Sequence, residues 1–154
     1  MSTAIDVSAL PPNAQKILDP NGPAPLKGMA AKGLAPGLKP AETLAVVVAL
    51  SLAGDAHAET AKKTLEALPL PLLNGALAGD VQPGVLDVIG PIYAKDANLS
   101  EKILQHARIL PETVAAMAAV AYKIRANTAQ VLERAGARKV APRAAATELA
   151  VARV

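Results

Sequence analysis

The sequence predicts an all-α fold of stacked helical hairpins, with eight to ten short helices and no convincing strand. Hydrophobic residues make up 52% of the 154 residues, yet there is no phenylalanine or tryptophan and there are only two tyrosines. A core of alanine, leucine and valine suits helices, whose backbones approach closely over small side chains, whereas sheets are enriched in aromatic residues. Prolines and glycines at regular boundaries, and a repeated segment, support the same fold class.

Prolines mark the predicted helix starts. A proline in the first turn of a helix loses no intrahelical hydrogen bond, because the amide at that position has no partner in any case. By this rule, helices are predicted to begin at Pro40, Pro69 or Pro71, Pro83, Pro111 and Pro142. Three further helices are predicted to begin at the capping residues Asp55, Asn98 and Asn127. Glycine suits the residue that follows a helix; the predicted stops are Gly54, Gly79 and Gly136.

The first 39 residues differ from the rest of the chain. They are rich in proline and glycine, which favours turns, with short helical pieces expected around residues 13–18 and 26–32. We therefore predict a Pro/Gly-rich N-terminal arm or cap over residues 1–39 and an α-helical repeat domain over residues 40–154. The arm either covers the first apolar face of the repeat domain, or is a mobile tail or partner-binding segment.

A segment of the chain recurs after 28 residues. Residues 81–104 align with residues 109–132, so that Pro83 matches Pro111 and Leu104 matches Leu132. Apolar residues recur between these points at helical spacing. A period of this length is typical of helical repeats, in which each unit buries its apolar face only by stacking on its neighbours. The alignment predicts that Leu104 and Leu132 lie in the core.

The segment "LAGDAHAETAKKTLEAL" resembles the second helix of a HEAT-type repeat. The resemblance is carried by Gly54 and Asp55 at the turn, by Glu59, and by the apolar positions Leu65, Ala67 and Leu68. Thr60 and Ala61 depart from it, since HEAT repeats usually have valine and arginine there. The 28-residue units also look similar to leucine- and alanine-rich repeat variants of bacterial proteins. HEAT-like arrays are mostly protein-binding scaffolds, which is what the resemblance implies.

Few residues in this chain suggest chemistry. There is no cysteine, which excludes thiolate catalysis and fits a reducing, cytoplasmic compartment. His57 and His106 are far apart and have no metal-ligand spacing. The acids Asp80, Asp87, Asp96, Glu101 and Glu112 have no serine, histidine or second carboxylate at a telling interval. No glycine-rich loop is followed by the lysine of a phosphate-binding motif. We expect no catalytic, cofactor-binding or metal-binding residues.

A basic cluster near the C-terminus is the candidate binding site. It comprises Arg134, Arg138, Lys139 and Arg143, and such a row of cations would bind phosphates with strong salt dependence. The three readings are a solvated surface, a site for an acidic protein partner, and a nucleic-acid site. The chain lacks aromatic residues for base stacking and its net charge is only +3, both of which weigh against nucleic acid.

Two apolar stretches are predicted to be buried helices. Residues 44–54 are about half as long as a membrane span, so no association with a membrane is expected. The stretch "TVAAMAAVA", residues 113–121, is apolar on nearly every side and is read as a central helix with neighbours all around. The alternative is an exposed apolar surface that docks a partner helix or a second copy of the chain.

These observations favour a non-catalytic protein–protein interaction module, a scaffold or adaptor, with a protein partner of unknown identity. Homo-oligomers are compatible with the same pattern. The alternative is a small DNA- or nucleic-acid-associated helical-repeat protein that uses the basic cluster. A carrier of an apolar ligand between helices is a third reading, and it rests only on the small-residue core.

Overall fold

The computed structural model describes residues 4–138. Over this range the chain is all-α, as predicted, with eight α-helices, one short 3₁₀ turn at Val7–Ala9 and no strand. The helices are α1 (Pro12–Leu18), α2 (Ala24–Ala31), α3 (Pro40–Leu52), α4 (Ala58–Glu66), α5 (Leu70–Leu77), α6 (Pro83–Tyr93), α7 (Ala97–Leu104) and α8 (Pro111–Arg138). Four of them, α3, α5, α6 and α8, begin at or next to a proline that the sequence predicts as a helix start.

Helix α3 is the centre of the core and packs against α1, α2, α4, α5 and α6. It begins at Pro40, and the carboxylate of Glu42 accepts a hydrogen bond of 2.8 Å from the amide of Lys39. Apolar side chains on every side of α3 are buried, among them Leu44. The helix stops before Gly54, whose φ of +70° is a left-handed conformation that glycine adopts without strain.

The N-terminal helices α1 and α2 pack on the same core. Both lie where short helical pieces are predicted, and both contact α3. Ala14 and Ile17 of α1 and Ala30 and Ala31 of α2 are buried in one cluster with the α3 side chains. These contacts cover one side of α3 and α4. The division of the chain at residue 39 stays a prediction.

Four predicted helix boundaries are wrong. Helix α4 begins at Ala58 after His57, and Asp55, the predicted cap, instead accepts a hydrogen bond from the amide of His57 in the preceding turn. Helix α7 begins at Ala97, because Asp96, and not Asn98, caps it by accepting hydrogen bonds from the amides of Asn98 and Leu99. Asn127 and Gly136 lie inside α8 rather than at a start and a stop. No proline follows Pro111 until residue 142, and the intervening alanine, lysine and arginine are good helix formers, so the helix continues through both positions.

The prediction that Leu104 and Leu132 lie in the core is also wrong. Their side chains are 43% and 57% exposed. In α7 the inward positions are Leu99 and Ile103, and Leu104 follows Ile103 by about 100° around the helix. Leu132 lies beyond the reach of α6, the neighbour on which α8 packs. The descent of the 28-residue segments from one repeat, and the HEAT-like classification, stay predictions.

Candidate interaction surface on the last helix

Helix α8 is much longer than the helix that supports it. It has 28 residues, about 42 Å in length, whereas α6 has 11 residues. The two helices run parallel, since Asp87 and Gly90 of α6 meet Thr113 and Met117 of α8 in that order. Thr113 and Met117 are 1% and 3% exposed, and they are the only buried residues among positions 111–133. Most of α8 therefore lies outside the core.

The contact between α6 and α8 depends on the absence of a side chain at Gly90. A Cβ atom there would lie 3.0 Å from Cγ2 of Thr113 and 3.1 Å from Sδ of Met117. The hydroxyl of Thr113 also donates a hydrogen bond to Oδ1 of Asp87. These contacts determine which side of α8 faces the protein. Ile124 continues that side but is 41% exposed, because α6 has ended by that point.

Away from these contacts, α8 is exposed and mostly apolar. Val114, Tyr122 and Leu132 are 40%, 74% and 57% exposed, and mostly small side chains lie between them. We call this surface the open side of α8; it comprises Val114, Ala115, Ala118, Tyr122, Arg125, Ala129 and Leu132. The prediction of a central helix buried on all sides is wrong for residues 113–121. Only one neighbouring helix makes an extensive contact with α8 in the part of the chain that the structure describes.

The structure describes only two of the four residues of the predicted basic cluster. Arg134 and Arg138 belong to the C-terminal turns of α8, whereas Lys139 and Arg143 lie outside the described residues. Two other cations of the region, Lys123 and Arg125, are exposed in the middle of α8. They are two residues apart, a spacing that places them on different sides of a helix.

The predicted acids and histidines mostly have structural partners. Asp96 caps α7, and Oε1 of Glu101 accepts from Gln105. His106 bridges two backbone groups: its Nδ1 accepts from the amide of Arg108 at 3.2 Å, and its Nε2 lies 3.2 Å from the carbonyl oxygen of Gly79. Both nitrogens are satisfied when Nε2 carries the proton and donates. This histidine therefore joins the segment after α7 to the end of α5.

Sequence reasoning missed the polar links between α5 and α7. Nη1 of Arg108 lies 2.9 Å from Oδ1 of Asp80, and Nζ of Lys102 donates to Oδ1 of Asn74 at 2.7 Å. Both pairs are exposed and line an open groove of about 580 Å³, so water screens them. Each pair joins residues 28 positions apart, which is also the spacing of the recurring segment. Asn74, Asp80 and Arg108 lie outside the two recurring segments, so the recurrence alone does not locate these pairs.

The described residues form neither a metal-binding cluster nor a membrane-spanning helix. No group of three or more histidine, cysteine, aspartate or glutamate side chains gathers in a way that could hold a metal ion. Over the same residues, no helix combines the length and the apolar character that crossing a bilayer requires. The exposed apolar side of α8 is thus the most distinctive surface of the described chain.

Comparison of the chain with protein-family models, curated proteins and solved structures found no match.

Proposed function

We propose that this protein is a non-catalytic protein–protein interaction module and that the open side of α8 is its contact surface. The observation that carries the proposal is the exposure of Tyr122 and Leu132, at 74% and 57%, on a helix that packs extensively against one neighbour within the described chain. Contiguous apolar surface on a soluble domain marks an interaction site more often than scattered apolar residues do.

The architecture supports this role. The first turns of α8 are held by Gly90, Thr113 and Met117, so the helix projects from the protein in a defined direction. Along its open side, alanines separate the larger residues and let another backbone approach closely. Helices recognise one another through residues spaced three and four positions apart, and Ala115, Ala118 and Tyr122 have this spacing.

The alternative function, nucleic-acid association through Arg134, Arg138, Lys139 and Arg143, stays a prediction. It requires duplex binding at low salt that weakens steeply as salt rises, because each phosphate contact releases counterions. Duplex binding of this kind by the purified chain, lost when Arg134 and Arg138 are replaced by glutamine, would favour it over the protein-binding role.

A charge placed on the open side tests the proposed function. Ala118→Glu puts a carboxylate in the middle of that side, and Ala116→Glu puts the same group on another exposed side of α8. Both residues are exposed alanines, and glutamate is nearly as good a helix former as alanine, so both variants should keep the fold. The readout is the native size of the chain in extracts of its own cells, compared with the 15.6 kDa of the monomer.

We expect the wild type and Ala116→Glu to migrate as a complex and Ala118→Glu to migrate as a monomer. A wild-type chain that migrates as a monomer, and that gives no adduct when a photo-reactive residue replaces Ala118 in the cell, contradicts the proposal. A complex that survives Ala118→Glu contradicts the assignment of the surface.

A further inference from the structure

We infer that the open side of α8 pairs with the α8 helix of a second copy of this chain, in an antiparallel arrangement centred between Lys123 and Ile124. This inference rests on the proposed function and names the partner of the same surface. Its evidence is the order of side chains along α8, their exposure, and their charge.

Six exposed positions on the open side of α8 have the spacing of a two-helix seam. Their separations alternate between three and four residues, the pattern by which one helix presents a continuous stripe to another. The positions are Ala115, Ala118, Tyr122, Arg125, Ala129 and Leu132, and all six are exposed. The stripe lies roughly 130° around the helix from Thr113 and Met117. A second helix can therefore approach it without meeting α6.

The seam is self-complementary when its partner runs in the opposite direction. About the proposed centre, Ala115 lies opposite the partner's Leu132, so that a large side chain meets a small one. The next layer places Ala118 opposite the partner's Ala129, and two alanines allow the backbones to come close. The two-fold axis repeats both layers at the other end of the pair, as an isologous dimer requires.

The central layers join an aromatic ring to a cation. Tyr122 lies opposite the partner's Arg125, and the symmetry produces this pair twice. A guanidinium group over an aromatic face is attractive, more so when water is excluded. In the single chain, both side chains are exposed, and neither has a hydrogen bond or an ion pair to any other described residue. The pairing would give both of them a partner.

The charge of Arg125 also selects the orientation. In a parallel pair, equivalent positions share a layer, so Arg125 would meet the partner's Arg125 in the middle of the seam. Like charges across an interface are strongly disfavoured. The antiparallel arrangement removes this contact and replaces it with two tyrosine–arginine pairs.

One flanking contact in this arrangement is unfavourable, and it provides a test of the register. Glu112, in the first turn of α8, comes close to the partner's Glu133 at each end of the seam. Both side chains are exposed, so the repulsion is small and is screened by salt. Glu133→Lys turns both contacts into ion pairs and should strengthen self-association about two- to fivefold at low salt.

Sedimentation equilibrium of the purified chain measures the pairing directly. We expect a concentration-dependent dimer for the wild type and for Ala116→Glu. Ala118→Glu places a carboxylate in each of the two layers where Ala118 meets the partner's Ala129 and the backbones are closest. It should weaken the dimer about tenfold or more. Circular dichroism and thermal unfolding of the two variants at low concentration check that both keep the monomer fold.

Engineered cysteines test the direction, since the chain has none of its own. In the antiparallel pair, the double variant Ala118→Cys/Ala129→Cys brings each cysteine opposite its match and should oxidise to a covalent dimer. Each single variant leaves its two cysteines eleven residues apart along the seam, about 16 Å, beyond the reach of a disulfide. Covalent dimers from the single variants would show a parallel pair and overturn the inference.

The possible results separate the inference from the proposed function. A purified chain that stays monomeric at all concentrations, while a complex in cell extracts is lost in Ala118→Glu, overturns self-pairing and leaves the proposed function intact. A purified dimer that Ala118→Glu does not affect overturns the inference by placing the contact elsewhere. Absence of both the dimer and the complex contradicts both proposals.

Discussion

Helices α3 and α8 have similar sequences at their starts and opposite environments. Each begins at a proline, carries a glutamate in its first turn, and continues in small and branched apolar residues. In α3 eight of 13 residues are buried. In α8 only Thr113 and Met117 are buried among the positions whose side chains are described. The difference follows from the neighbours, since among residues 4–138 α3 packs against five helices and α8 packs extensively against α6 alone.

Burial is favourable for a helix of apolar residues, but the composition of that helix does not create the neighbouring helices that would bury it. A helix without polar sides is normally covered on several sides. Within the described chain α8 is covered on one, and its remaining apolar surface is exposed to solvent. Covering that surface would yield roughly 25 cal/mol per Å² of apolar area removed from water, which is the driving force that a partner of α8 would use.

The largest expected effect comes from truncating a leucine in each helix. Leu44 of α3 is fully buried and Leu132 of α8 is 57% exposed. Leu44→Ala should lower the free energy of unfolding by about 2–5 kcal/mol, because it leaves a cavity in the core. Leu132→Ala should change it by less than about 0.5 kcal/mol. Urea denaturation at low protein concentration measures both.

Equal losses for the two leucine variants would show that Leu132 is covered within the monomer. That result would remove the contrast between the helices and, with it, the basis for an exposed apolar side on α8.

A smaller effect is expected at the contact between α6 and α8, the extensive one that α8 makes within the described part of the chain. Gly90→Ala places a Cβ atom 3.0 Å from Cγ2 of Thr113, whose hydroxyl is held by Asp87. The overpacking should destabilise the protein by about 1–2 kcal/mol, even though alanine is the better helix former. Gly28→Ala in α2 is the matched control, because its nearest contact is an ordinary 3.7 Å from His57.

Thermal unfolding should show Gly90→Ala as less stable than the wild type and Gly28→Ala as equal or more stable, by up to about 1 kcal/mol. Stabilisation by both changes would mean that the interface between α6 and α8 is loose.

The smallest effect comes from comparing the two tyrosines. The half-buried Tyr93 donates from its hydroxyl to the carbonyl of Leu65 at 2.5 Å and accepts from the amide of Leu68 at 3.3 Å. It therefore joins α6 to the end of α4, whereas Tyr122 is 74% exposed. Tyr93→Phe should cost about 1 kcal/mol through the lost hydrogen bonds. Tyr122→Phe should leave the stability of the monomer unchanged.

The Tyr93 hydroxyl also makes stability depend on pH. Burial raises the pKa of Tyr93 above its ordinary value of 10.0, and the hydrogen bond from Leu68 opposes this in part. The neutral form is thus favoured in the folded state. Its contribution is fully present below pH 10.0 and is lost as the pH rises through the folded-state pKa. The stability difference between wild type and Tyr93→Phe should shrink over that range; a constant difference would contradict the assignment.

The local rules of helix formation gave correct starts at Pro40, Pro83 and Pro111, because a proline in the first turn acts within its own segment. They were wrong at Asn98 and Asn127, where a competing cap at Asp96 and an uninterrupted run of helix formers decided the outcome. The same local rules placed a helix end at Gly136, between Arg134 and Arg138, whereas both residues belong to α8.

The amino-acid sequence alone was sufficient for the all-α class and for the inward position of α3. Each follows from composition and from spacing within one helix. The exposure of α8 depended on the tertiary structure, because it results from the 11 residues of α6 supporting only the beginning of a 28-residue helix. The sequence shows which residues of a helix are apolar, whereas the packing of the helices decides which of those residues contact another helix.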